Sequence, residues 1–299
     1  MPSLMTKRNL LNLALLAAVL LLALLAWLEP GHKAPAEPPK LTDLTPNQVH
    51  KIRIERREGK TVVLERNADG WRMLEPVAAP ANGFRIDSLL RVTENKSLGR
   101  NPIDGLDLAK YGLAKPAVRL FLDDTEIDFG DATPLDNRRY VLIGKSVHLI
   151  KDIAYYHLIG RYTSFISQRL LQPQQKIQAL ELPGLRLAEH EGNWEPDPKP
   201  AHYSADATTK LIDAWQNAQA IEVRPYDEKT SKPVSGEIRI HLQGQEQPLQ
   251  LLITERSPDL VLVRPDLGLE YHLEEHQGAE LLALKSEPEP AAPAAPAKP

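Results

Sequence analysis

The 299-residue chain contains no cysteine. Disulfides, thiolate metal sites and lipid attachment through an N-terminal Cys are thereby excluded, and an exported domain must be held by its core alone. A basic stripe is missing too. Lys and Arg number 36 against 40 Asp and Glu, the signs are interspersed, and the net charge is −4. That pattern carries no electrostatic footprint for nucleic acid. Several catalytic signatures are absent: the Gly-x-Ser-x-Gly elbow, Gly-x-Gly-x-x-Gly, the phosphate loop and His-Glu-x-x-His. Ser231-Lys232 lacks the two-residue spacer of a Ser-x-x-Lys nucleophile.

What the chain does have is a nearly unbroken apolar run, Leu10 to Leu28, just after Lys7 and Arg8. At ~1.5 Å rise per residue such a helix reaches ~28 Å, about one hydrocarbon core. Only Asn12 interrupts it, and the run has no polar face, which argues against a buried globular helix. Lys7 and Arg8 place the N-terminus in the cytoplasm and Trp27 at the far interface. The expected partner of residues 9–28 is therefore the lipid bilayer. The expected location is a bacterial inner membrane, with everything after Glu29 in the periplasm. A cleaved signal peptide is the competing account, because Ala34-Pro35-Ala36 has the spacing a signal peptidase reads. Against it stand the length of the run, the distance of Ala34 from Leu28, and Pro35 within the site.

The expected layout is a cytoplasmic start (1–8), the anchor (9–28), a spacer (29–48), two α+β units (49–173 and 174–285) and a tail (286–299). The stretch Glu29 to Lys40 has four prolines in twelve residues, a semi-rigid spacer. The tail, SEPEPAAPAAPAKP, lacks any aromatic or β-branched residue and reads as disordered.

Between spacer and tail the sequence shows an internal repeat. The first unit reads as strands Val49 to Arg56, Thr61 to Glu65 and Trp71 to Leu74, with a turn at Asn67 to Gly70. A loop, Pro76 to Gly83, then leads to a helix carrying Phe84, Ile86, Leu89 and Leu90, capped by Asn82. The second reads as strands Ile177 to Leu182 and Leu185 to Glu189, a turn at Glu191 to Asn193, and Trp194. A loop, Pro196 to Pro200, precedes a helix capped by Ser204 with Ala207, Leu211, Ile212 and Trp215 on its apolar face. In both, a Gly turn leads to Trp and then to Glu-Pro, so that Pro76 answers Pro196. Each unit has a second half of four short strands: Val118 to Leu122, Glu126 to Phe129, Tyr140 to Ile143 and Val147 to Ile150, then Glu237 to Leu242, Leu249 to Thr254, Leu260 to Arg264 and Tyr271 to Leu273. A helical stretch from about Ile153 to Leu171 closes the first, and a short helix near Ala279 to Leu284 the second. The fold class is α+β: duplicated modules of short antiparallel strands followed by helices, behind one transmembrane helix.

Asp69-Gly70-Trp71 with Pro76, then Ile86, Leu89 and Leu90, then Tyr111-Gly112-Leu113 with Pro116, then Phe129-Gly130 and Tyr140 form a set. By these marks the chain resembles the bacterial family known as domain of unknown function 4340, from about Val49 through the second tryptophan unit. Members look like membrane-anchored envelope proteins, some beside transporter components of the gliding-motility or polysaccharide-export kind. The resemblance thus implies an envelope or ABC-transport-related protein partner, and it implies no catalytic residue. Here Ala114 stands where the family's Tyr-Gly-Leu is followed by an acidic residue or Asn, which speaks against a shared ligand at that position.

Other residues have narrower readings. Asp123, Asp124, Glu126, Asp128 and Asp131 are the densest acidic stretch. Glu126 and Asp128 share one strand face, the placement a carboxylate hydrolase or a cation site needs, though a solvated hairpin edge explains them as well. His272 and His276 have i,i+4 spacing, but His272 reads as strand. Trp71 and Trp194 are either covers for the ends of small cores or sugar-stacking platforms. Gly70, Trp71, Pro76, Tyr111, Gly112, Leu113, Pro116 and Trp194 read as structural. Tyr155, Tyr156, Tyr162 and Phe165 are the candidate partner or ligand surface on a helix.

The functional expectation is a membrane-anchored periplasmic accessory or scaffold protein of an envelope or transport-related assembly, without enzymatic activity, cofactor or metal. The alternatives are a periplasmic ligand- or glycan-binding module and, last, a carboxylate-dependent hydrolase.

Overall fold

A computed structural model of the chain describes residues 7–28, 37–134, 136–200 and 203–284. Residues 29–36 of the spacer, which include the Ala34 to Ala36 site, and the tail lie outside the described residues. The chain divides into an N-terminal unit ending at Pro39 and a second beginning at Lys40.

The first unit is one helix, α1 (Lys7–Leu28), and within it Asn9–Trp27 has a mean hydropathy of 2.6. It is long and apolar enough to cross a membrane, and none of that window is buried against protein.

The second unit is α+β and holds two antiparallel sheets. Strands β1 (Lys51–Arg56), β2 (Val62–Asn67), β3 (Gly70–Glu75) and β4 (Ala79–Pro80) are followed by α2 (Gly83–Leu90) and β5 (Gly99–Pro102). Then come β6 (Val118–Leu122), β7 (Thr125–Ala132), β8 (Arg138–Ile143), β9 (Ser146–Lys151) and the short α3 (Tyr155–Ile159). These strands form one sheet in the order β4-β3-β2-β1-β6-β7-β8-β9-β5. The second sheet takes β10 (Ile177–Leu182), β11 (Leu185–His190), β12 (Asn193–Asp197), α4 (Ala205–Gln216) and β13 (Glu222–Pro225). It is completed by β14 (Gly236–Leu242), β15 (Leu249–Glu255), β16 (Leu260–Arg264), β17 (Leu269–Leu273) and α5 (Glu275–Leu282). Its order is β12-β11-β10-β14-β15-β16-β17-β13. Apart from β4, the two orders are the same: β10 stands where β1 does, β13 where β5 does.

Alternation explains the sheets. In β14 Ile238, Ile240 and Leu242 are buried while Arg239 is exposed, so one face meets the core. Helices cover that face: α3 packs on β6, α4 on β10 and β12, and α5 on β16. The caps are those the side chains imply. Asn82 accepts the Arg85 N–H at 3.1 Å and Ser204 the Ala207 N–H at 3.2 Å. Trp215 is fully buried in α4 and donates its indole N–H to the Leu281 carbonyl at 2.9 Å, tying α4 to α5.

Four expectations need correction. Residues 153 to 171 are not one helix: α3 ends at Ile159, a 3-10 turn spans Tyr162–Phe165, and the chain then leaves helical geometry. Backbone pairing offered on both sides of residues 165–170 overrides their helical pattern. The closing helix lies about four residues earlier than Ala279 to Leu284. Pro196 is inside the edge strand β12, and Pro198 is the residue that follows it, as Pro76 follows β3; both X–Pro peptides are cis. Finally, β4, β5 and β13 were unforeseen. They are short edge or near-edge strands, and GRNP and EVRP carry no apolar alternation, so pairing with β9 and β17 defines β5 and β13.

Candidate functional site

The stretch 165–170, which leaves the 3-10 turn and is bridged at Ile166 and Arg169, is the pivot of the second unit. On one side Asn82 N–H donates to the Phe165 carbonyl and Ser167 N–H to the Pro80 carbonyl. On the other, Leu170 N–H donates to Ala218 and Ala220 N–H to Gln168. The stretch therefore joins the two halves by backbone bonds. Ile166 and Gln168 line one cleft, while Ser167 and Arg169 line another.

The Ile166 side opens on a cleft of about 1070 Å³. Four large apolar side chains on it are exposed: Phe84 (79%), Tyr156 (77%), Ile159 (51%) and Ile221 (51%). Arg85, Arg161 and Arg224 surround them. Arg85 contacts the His157 ring at 2.6 Å, and burial followed by that guanidinium lowers the His157 pKa. Glu222 is bonded to Arg224 and lies 3.5 Å from Arg161; the Arg224 bond, foremost, holds its carboxyl below the usual range.

The Ser167 side opens on a cleft of about 610 Å³. Trp71, at the start of β3, is half-buried on its wall, with the Arg66 guanidinium 4.9 Å from its ring. The opposite wall comes from the second sheet: Gln245, Arg264, Asp266, Leu267 and Tyr271. A further cavity of about 410 Å³ shares Gln175, Gln245, Arg264 and Asp266 with it, so the two adjoin. Trp194, half-buried against the core, lines neither.

The aromatic residues expected to form one partner face are divided. Phe165 is fully buried, and Tyr155 packs on the core under the Arg139 guanidinium, 3.4 Å from its ring centroid. Tyr162 is half-buried beside Lys60. Only Tyr156 is exposed. The broken helix is the reason: a short helix and a 3-10 turn do not keep these four side chains on one stripe. Phe84 and Ile221, which complete the exposed face, were missed. Neither lies on an apolar stripe with Tyr156 in sequence, so no local signal groups them.

The motif residues do meet. A 3-10 turn Leu108–Tyr111 ends at Gly112, whose φ is +68°. A β-carbon on Gly112 would fall 2.5 Å from the Asp131 carboxylate, and Tyr111 stacks edge-on to Tyr140 at 4.8 Å. Leu113 is buried there, and Pro116 follows within the loop to β6. Gly70 closes the β2–β3 turn at φ +113°. The acidic stretch is dispersed. Asp123 accepts the backbone N–H groups of His50 and Lys51, Asp131 faces Gly112, and Glu126 and Asp128 share a face with Arg119. Burial, ahead of the Glu126 charge, pushes the Asp128 carboxyl up to about 6. His272 pairs with Glu270 in β17, while His276 is on α5 beside Glu280. Among the described residues, no group of three or more His, Asp or Glu is placed to hold a metal ion.

By class this is a two-sheet α+β protein, with two clefts on one bridging segment and a separate apolar helix at its N-terminus. The family model for "domain of unknown function (DUF4340)" matches residues 71–235, more than half of the chain, and the chain belongs to that family. Neither the curated proteins nor the solved structures hold a match to it.

Proposed function

We propose that this protein is a single-pass accessory or scaffold of a bacterial envelope assembly, of the transport-related kind. In this reading α1 anchors it in the inner membrane with Lys7 and Arg8 cytoplasmic, and the two-sheet unit is periplasmic. Its paired sheet orders are read as a duplicated module. The observation that carries the role is the exposed apolar face of Phe84, Tyr156, Ile159 and Ile221 within one cleft. Clustered exposed side chains of this size mark interaction surfaces. Three guanidiniums against one carboxylate on the same cleft favour a protein partner that presents apolar side chains flanked by acidic ones.

Two measurements test this. A phosphatase reporter fused after Lys40 should be active and a cytoplasmic fluorescent reporter there dark; the opposite pattern removes the topology. A photo-crosslinker at position 84 or 156, in intact cells, should give an adduct with one envelope protein. That adduct should vanish when Arg161→Glu and Arg224→Glu are combined, and should not form from position 104. Crosslinking to nothing, or equally from position 104, counts decisively against a scaffold that uses this face.

A further inference from the structure

We propose that the elongated cleft on the Trp71 side is a binding site for an oligosaccharide chain, with the Trp71 ring as its stacking platform. The observation is independent of the apolar partner face and lies on the opposite side of the bridging segment. The first argument is shape. Cavities of about 610 Å³ and 410 Å³ lie side by side, with Gln175, Gln245, Arg264 and Asp266 lining both. Each is of the size that holds a small ligand, and together they form a trough suited to several linked rings in a row.

The second argument is the chemistry of the lining. Asn67, Gln172, Gln174, Gln175 and Gln245 bring five side-chain amides to the larger cavity, and Gln247 and Gln250 extend the series into the smaller. An amide offers a donor and an acceptor in one plane. A pair of neighbouring sugar hydroxyls, each both donor and acceptor, is its natural complement. Among the described residues, the side-chain amides of Gln172, Gln174 and Gln245 take no protein partner, so their bonding capacity is open to a ligand. Charge is nearly balanced. Arg72, Arg169 and Arg264 face Asp69 and Asp266, and Arg264 is held by Asp266 through two bonds of 2.9 and 2.7 Å.

The third argument is the tryptophan. Its ring gives an apolar face that the C–H side of a pyranose packs on. Arg66 stands outside the lining residues and contacts the ring at 4.9 Å; it is itself held by the carbonyls of Pro46 and Asn47 at 3.1 and 3.3 Å. Arg66 thus packs on the ring and helps to set its orientation before a ligand arrives.

The test uses the full-length protein in a detergent without a sugar headgroup, titrated with chitotetraose, cellotetraose and maltotetraose. Intrinsic fluorescence and saturation-transfer NMR are read together. At least one of the three should bind saturably, with a dissociation constant on the order of 1 mM or tighter. Trp71→Ala should weaken it at least about tenfold, and Gln174→Ala combined with Gln245→Ala several-fold. Trp194→Phe should leave binding unchanged. The two glutamines are exposed, so their double variant decides the matter if Trp71→Ala does not fold. Absence of saturable binding to all three saccharides overturns the proposal. So does wild-type binding by the glutamine variant, or equal loss with Trp194→Phe. Because the crosslinking outcome concerns the other cleft, either result stands without the other.

Discussion

The backbone oxygen of Tyr111 occupies the space into which a side chain on Gly130 would project. A β-carbon at Gly130 would also fall 2.9 Å from Leu113 Cγ. The Tyr111-Gly112-Leu113 turn is thus pressed onto β7 at the one residue that lacks a side chain, which gives Tyr-Gly-Leu and Phe-Gly a shared physical reason. Gly130→Ala should therefore destabilise the second unit by about 3 kcal/mol, since the obstruction is backbone and a buried leucine. Denaturant unfolding should show a lower midpoint with an unchanged slope.

The Asp128 carboxyl titrates near pH 6 in the folded protein, against an ordinary value of 3.8. Its side chain is 13% exposed, and burial outweighs the attraction of Arg119, 3.6 Å away. The folded state therefore holds this proton more tightly than the unfolded chain. Its favourable contribution is complete below pH ~3.8 and is lost as pH rises through about 6. Asp128→Asn should match the wild type near pH 4 and exceed it by about 2 kcal/mol at pH 7.5. Paired urea curves across that range provide the measurement; a constant difference would show that Asp128 is not the group responsible.

Trp215 joins α4 to α5 through its bond to the Leu281 carbonyl. Trp215→Phe keeps most of the apolar volume but leaves that carbonyl buried and unpaired. A loss of about 2–3 kcal/mol follows from the lost volume and the unmet acceptor. Hydrogen exchange should accelerate in α5 first, because this bond joins α5 to α4, and α5 also packs on β16.

Arg139 is buried and serves three groups at once. It bonds Asp152 at 2.8 Å, donates to the Gly130 carbonyl at 2.5 Å and lies on the Tyr155 ring. Arg139→Met strands a carboxylate at a site with little water and should cost about 3 kcal/mol. Adding Asp152→Asn should recover part of that loss, as measured by a double-mutant cycle.

Much of this architecture is legible residue by residue. Ile238, Ile240 and Leu242 alternate with Glu237, Arg239 and His241, and that alternation alone sets which face of β14 is buried. Asn82 and Ser204 announce α2 and α4 because a short polar side chain before an apolar stripe satisfies a free N–H of the first turn. The run from Leu10 to Leu28 specifies its helix because, Asn12 apart, nothing polar competes with it. Such signals act over a few residues, and a local sequence contains them whole.

Other features depend on partners far along the chain. Residues 165–170 have helical spacing, but Pro80, Asn82, Ala218 and Ala220 exchange backbone bonds with them on both sides, and those bonds hold the stretch out of helical geometry. β5 and β13 exist only because β9 and β17 offer an unpaired edge. Phe84 and Ile221 become neighbours of Tyr156, and Trp71 of Gln245 and Asp266, across as much as two-thirds of the chain. The sequence by itself thus determined the apolar helix, the alternating strands and the capped helices, because each is encoded in contacts a few residues apart. Only the tertiary structure decided the bridging segment and the two clefts beside it, because they are made of backbone bonds and side chains that meet when both sheets are in place.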